Sequence, residues 1–246
     1  MNIGIGIGIG IGTGRSFSPS SIAGMSFRAS AKQFAFNDDG VTLATDGQTV
    51  LRWNDLSSNA NNAANSGAAT GRPTYRSSGG PSSLATLEFD GADALALGTL
   101  LTGASRTAFF VCNKTAVGSS YQTLLWGSGF HILYRMATAG DLWGAWQLSE
   151  VPSTVTLDSE FVIICVRQTA IQNTDFIKNG VLENSTAGSG SPSASSSVIG
   201  AGAFPVINQG INGKISELIV YDTALSNSDI TLVQNFLNQE WGGGFL

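Results

Sequence analysis

The chain has 246 residues, of which 42% are apolar and 12% charged, so a sizeable core can form and wholesale disorder is excluded. The formal net charge is -5 without any Lys/Arg run, which excludes a phosphate-tracking nucleic-acid binder. One histidine (His131) and two cysteines (Cys112, Cys165) exclude His-rich metal sites, a four-cysteine zinc site and a dense disulfide framework.

Residues 3–12 alternate strictly between isoleucine and glycine: Ile3, Ile5, Ile7, Ile9 and Ile11 fall on one side of an extended strand. A secretory signal needs a basic start and a continuous apolar stretch, and this segment has neither. Residues 1–16 are therefore read as an extended arm. It adds as a strand to a partner's sheet edge or bundles with copies of itself. The other reading is a low-complexity leader ordered by incidental packing.

Residues 17–246 are read as one domain. Strand patterns fall at 25–36, 48–53, 84–89, 107–112, 121–126, 131–136, 161–167, 175–178 and 214–221. The runs at 107–112 and 161–167 are continuously apolar and read as central strands buried on both faces. Asn179-Gly180 is a two-residue hairpin signal, and 127–129 reads as the turn of a second hairpin. Residues 188–197 read as a loop. Ser226, with Asp229 three positions on, caps a late helix whose Ile230, Val233, Phe236 and Leu237 share a face. Gly242, Gly243 and Gly244 end it. No run of about 18 apolar residues crosses a membrane as a helix. The fold class is all-β: a two-sheet antiparallel jelly-roll sandwich with one short C-terminal helix and an extended N-terminal arm.

Several stretches together resemble the concanavalin A-like lectin/glucanase superfamily, in particular its laminin-G-like jelly-roll modules in phage and bacterial proteins. Phe17-Ser18-Pro19 through Ser30 is similar to "FSP-x-S-I-x-G-L-x-x-W-L-D-A-S". Residues 50–63 are similar to "V-x-x-W-x-D-x-S-G-N-G-N-x-A", with Trp53, Asp55, Ser57, Asn59 and Asn61 in place. Arg72-Pro73-Thr74-Tyr75 resembles "RP-x-Y", and Phe89-Asp90-Gly91-Ala92-Asp93 resembles "F-D-G-x-D". Ile177-Lys178-Asn179-Gly180 resembles "Y-V-N-G", and 213–226 resembles "G-x-I-x-E-x-x-x-Y-x-x-x-L-S" with Ile215, Glu217 and Tyr221. Two departures stand out: Arg28 replaces an acid, and Ser58 replaces a turn glycine.

The resemblance implies a display or binding module. Some glucanases of this superfamily carry Glu-x-Asp-x-x-Glu, and the nearest stretch here is Glu88-Phe89-Asp90-Gly91-Ala92-Asp93. It fits a turn better than a catalytic pair, so no catalytic residue is assigned. A Ser-His-Asp arrangement would have to use His131, and no nucleophile-elbow pattern accompanies any serine. Aromatic residues gather between 121 and 146. Trp126, Tyr134, Trp143 and Trp146 are the candidate carbohydrate-binding residues, with core filling as the alternative. No metal site or cofactor is assigned; Asp38, Asp39 and Asp46 share a loop that can collect calcium ligands or make turns. Cys112 and Cys165 read as buried thiols, with a cross-sheet disulfide as the alternative.

The expected function is that of a non-enzymatic virion protein of a bacteriophage: a tail, fibre or capsid-decoration subunit. It is expected to be a homo-oligomer, with a trimer as the working guess. Its partners would be other virion proteins and a host-surface glycan. The alternatives are a carbohydrate-binding module of a bacterial surface protein and a glycoside hydrolase.

Overall fold

The computed structural model describes residues 17–65, 69–100, 105–114, 122–127, 130–135, 142–146, 150–156, 159–169, 173–187, 196–202 and 210–246. The arm, with Ile3, Ile5, Ile7, Ile9 and Ile11, lies outside the described residues. Among those described, the strands in chain order are β1 (Met25–Ser30), β2 (Ala35–Phe36), β3 (Arg52–Trp53), β4 (Ala63–Ala64), β5 (Thr74–Arg76), β6 (Thr86–Asp90), β7 (Leu95–Thr99), β8 (Arg106–Lys114), β9 (Gln122–Gly127), β10 (Phe130–Arg135), β11 (Leu142–Trp146), β12 (Glu150–Thr156), β13 (Val162–Gln168), β14 (Asn173–Lys178), β15 (Val181–Ala187), β16 (Ser196–Ile199) and β17 (Asn212–Tyr221). One α-helix, α1 (Asn227–Glu240), follows.

Among the described residues the strand pairings are antiparallel, and they build two sheets. One runs β15-β14-β13-β8-β17-β6-β5, and β1 also pairs with β17. The other runs β12-β11-β10-β9-β16-β7-β4-β3-β2. β6 takes the first part of the β17 edge (Asn212–Ile215) and β1 the last (Glu217–Tyr221).

The apolar runs at 107–112 and 161–167 do become central strands. β8 and β13 pair from Val162 opposite Cys112 to Gln168 opposite Arg106. Both faces are buried because the second sheet covers one and α1 packs against the other through Ile230, Val233 and Leu237. The helix starts where its cap chemistry lies: Ser226 Oγ accepts the Asp229 N–H at 3.1 Å and donates to Asp229 Oδ2 at 2.7 Å. It ends at Trp241, before three glycines of positive φ. In the β14–β15 hairpin, Asn179 (φ 47°) and Gly180 (φ 82°) occupy the left-handed region that a two-residue turn requires.

Two segments expected as single strands instead change sheets. β1 belongs to the eight-stranded sheet; the chain then turns at Ser30–Gln33, with Gln33 N–H bonded to Ser30 O at 3.0 Å, and β2 joins the other sheet. Likewise Thr49 bridges Thr74 at the eight-stranded edge, while Arg52–Trp53 belongs to the nine-stranded sheet. These crossings join the two sheets along one side. Hydrophobic alternation reports which side chains are buried, not which sheet buries them. Part of the expected 188–197 loop is strand β16, while 188–195 lie outside the described residues.

The Trp53–Asn61 motif seals an edge. Asp55 Oδ1 accepts the N–H groups of Arg28 (3.0 Å) and Ser57 (2.8 Å), and Oδ2 accepts the Asn61 N–H (2.9 Å). Asn59 Nδ2 donates to Met25 O at 2.9 Å, and Asn61 Nδ2 to Ser26 O at 2.9 Å. The loop thereby occupies the β1 edge that faces away from β17. Ser58 fills the missing turn-glycine position without positive φ; the left-handed residue is Ala60 (φ 56°).

Cys112 and Cys165 are free, buried thiols, and burial pushes both pKa values up. Cys112 sits opposite Val162 and Cys165 opposite Phe109. They are offset by an odd number of positions, on opposite faces of one sheet, and a disulfide between them is ruled out.

Candidate functional site

Two places merit attention: the outer face of the nine-stranded sheet and a polar cleft beside β6.

On the nine-stranded sheet, each strand contributes one residue to a cross-strand row. It runs Phe36, Arg52, Ala64, Ala96, Val198, Trp126, His131, Trp146, Glu150. The adjacent row reads Leu95, Ile199, Leu125, Ile132, Ala145, Val151. Leu95, Ile199 and Leu125 are fully buried in the main core. Directly opposed residues share a face and successive ones alternate, so the row with Trp126 belongs to the outer face. Consistently, Val198, Ala94 and Ala201 form a small cluster apart from the main core, against which the half-buried Trp126 packs.

The register therefore brings two of the four candidate residues, Trp126 and Trp146, into line on either side of His131. They lie on β9, β10 and β11, so the two tryptophan positions are two strand spacings, about 10 Å, apart. Tyr134 lies where the β9–β10 register shifts, and Trp143 where the β11–β12 register shifts, three positions from Trp146. The side chains of Tyr134, Trp143 and Trp146 lie outside what is described. Sequence reasoning singled out the aromatic cluster but not the place of His131 in its row; that depends on the pairing of Phe130 with Gly127 at the hairpin end and on the β10–β11 register.

The cleft has a volume of about 470 Å³ and is lined by Arg72, Arg76, Glu88, Asp90, Asp93 and Asn212 among others. Glu88 is ion-paired with Arg76 at 2.5 Å. Asp90 Oδ1 accepts the Ala92 N–H at 2.9 Å, and Asp93 Oδ2 accepts the Asp90 N–H at 3.0 Å. These bonds are the turn chemistry expected of Asp90-Gly91, with Gly91 at φ 94°. Burial pushes the Asp93 carboxyl up to about 7. Glu88 and Asp90 do share a strand face, as their spacing requires.

The acidic loop is held by separate bonds. Asp38 Oδ1 takes the Thr49 hydroxyl at 2.6 Å and Arg72 Nη1 at 2.8 Å. Asp39 accepts the Val41 and Thr42 N–H groups, both at 2.7 Å, and Asp46 accepts that of Ser77 at 2.8 Å. These bonds hold all three carboxyls below their ordinary range. Among the described residues no three His, Cys, Asp or Glu side chains group in a way that could hold a metal ion.

No family model matches the chain, and no curated protein matches it. Solved structures do. Domain 4 of AbnA, a GH43 extracellular arabinanase from Geobacillus stearothermophilus, in complex with arabinotriose, is 12% identical at a TM-score of 0.58, over 84% of this chain and 96% of that one. Trypanosoma rangeli sialidase in complex with sialic acid is 12% identical at 0.61, over 90% of this chain and 34% of the sialidase. The binding domain of Paraclostridial Mosquitocidal Protein 1 is 13% identical at 0.60, over 92% and 56%. The chain is a jelly-roll β-sandwich. The jelly roll spans nearly the whole of the arabinanase domain but about a third of the sialidase, and at these identities the likeness shows the fold alone.

Proposed function

We propose that this jelly roll is a non-enzymatic glycan-binding module whose binding surface is the outer face of the nine-stranded sheet. The observation that carries the reading is the register row Trp126–His131–Trp146 on three neighbouring strands, in which the half-buried Trp126 packs on a cluster apart from the main core. Indole rings stack on the apolar faces of sugars, and a sheet holds such residues at fixed spacing. Two of the similar structures were solved with arabinotriose or sialic acid bound, which favours a carbohydrate ligand. The finer reading is a virion subunit of a bacteriophage that displays the jelly roll toward host-surface glycan and is fastened by its Ile-Gly arm. It rests on the phage-type sequence resemblance and on residues 3–12. A module of a bacterial surface protein uses the same face.

A second reading, a glycoside hydrolase, has the cleft with Glu88, Asp90 and Asp93 in its favour. The bonds that commit each carboxylate to Arg76 or to the turn weigh against it. Glu88→Gln distinguishes the two: hydrolysis of any polysaccharide that this change abolishes would establish the enzyme.

The test is a glycan array probed with the full chain and with Trp146→Ala. The reading requires binding to at least one glycan class and its loss in the variant. A blank array for the wild-type chain, or binding untouched by the variant, overturns it.

A further inference from the structure

We propose that an apolar patch formed by Phe34, Phe36, Val41 and Leu43 receives the Ile-Gly arm (residues 3–12) of a second copy of this chain, joining copies head to tail. The patch is unusual on this surface. Among the described residues seven large apolar side chains are exposed, and three of them fall within ten positions: Phe34 (48%), Val41 (78%) and Leu43 (53%). Leu43 bridges Phe36 at the outermost edge of the nine-stranded sheet. The Phe34 ring stacks on Phe36 at 6.4 Å and 17°, and the Arg52 guanidinium lies 4.5 Å from the Phe36 ring centre.

Phe34 is held there against its backbone preference. Its φ is 55°, in the left-handed region that costs a bulky residue about 1–2 kcal/mol, and the chain accepts this while leaving the ring half-exposed. A strained, exposed aromatic stacked on a second ring that Leu43 bridges marks a contact surface.

The occupant follows from what the patch lacks. The polar groups beside it are consumed within their own turn, Asp39 by Val41 and Thr42 and Thr42 O by the Asn37 N–H. Little is left over for sugar hydroxyls or a charged peptide. The arm is the complementary chemistry: five isoleucines on one side of an extended ribbon, no charge between residues 2 and 14, and glycine on the other side, which lets backbone approach closely.

The donor is a second copy because the described chain enters beside α1, on the other outer face from the patch. The described chain begins at Phe17, whose ring meets Phe236 of α1 edge-on at 6.3 Å, with Pro19 O accepting the Tyr221 hydroxyl at 2.9 Å. α1 covers the eight-stranded sheet; Phe36 belongs to the outer row of the nine-stranded one. The strand edge nearest the arm's exit, that of β1, is already occupied by Asn59 and Asn61. A surface of one kind meeting a surface of another is a heterologous contact, which closes into a ring such as a trimer or extends as a filament.

The experiment is complementation between two variants, followed by size-exclusion chromatography with light scattering. One variant lacks residues 2–14. The other carries Phe34→Ser and Leu43→Ser with the arm intact, its folding verified by circular dichroism. The full chain should run as an oligomer and each variant alone as a monomer; an equimolar mixture should restore a complex holding both chains. A monomeric full chain overturns the proposal, as does an oligomer that survives both changes or a mixture that stays monomeric, the result expected of an arm docking on its own chain.

Discussion

Glu217 and Arg28 form an ion pair across β17 and β1, Oε1 to Nε at 2.8 Å, in which the carboxylate is completely buried. The other oxygen, Oε2, accepts Trp241 Nε1 at 2.7 Å, so one carboxylate ties a strand of the sheet edge to the end of α1. Burial pushes the Glu217 carboxyl above its ordinary range, and Arg28 and Trp241 pull it back. Arg28→Ala leaves a buried charge without its counterion and should destabilise the fold by about 3–5 kcal/mol in urea denaturation. Trp241→Phe keeps the ring and removes one donor, with an expected loss of about 1–3 kcal/mol. Wild-type stability in both variants would show that the pair does not hold the helix.

Asp55 closes the β1 edge, and its removal strips three N–H groups of their acceptor. Asp55→Ala should cost about 1–3 kcal/mol in urea denaturation, and hydrogen exchange should speed up at the Arg28 amide.

Ala60 occupies the left-handed region in the same loop. Ala60→Gly relieves that strain and should stabilise by about 0.5–1 kcal/mol, the opposite sign to most glycine substitutions. A fall in the thermal midpoint would contradict the assignment of strain there.

Asp93 is protonated more readily in the folded chain, with its pKa raised from 3.8 to about 7, chiefly by burial. Folding therefore takes up a proton between those values. The stabilisation is complete below the unfolded value and is lost as pH rises through about 7. The urea midpoint should fall across this window, and Asp93→Asn should flatten the fall. Equal slopes in the two proteins would show that Asp93 titrates as an ordinary carboxylate.

Much of this architecture is legible in the sequence. The capping Ser226, the Asn179-Gly180 turn and the apolar runs of β8 and β13 are local signals, and each appears where its chemistry puts it. What stays hidden is decided between strands. The turn after Ser30 sends one continuous alternation into two sheets. The alignment of Trp126 with Trp146 follows from the β9–β10 and β10–β11 pairings, and Trp143 falls at a register irregularity that no run of residues announces. The Arg28–Glu217 pair joins positions 189 apart in sequence and is invisible to any local pattern.

We propose that the Trp126–His131–Trp146 row holds a glycan. Affinity electrophoresis through gels containing a polysaccharide identified on the array tests it most directly, with wild type, Trp126→Ala and Trp146→Ala compared at matched thermal stability. The wild-type chain should be retarded, and each variant should lose at least tenfold in apparent affinity, about 1.4 kcal/mol. Retardation that persists unchanged in both variants would contradict it.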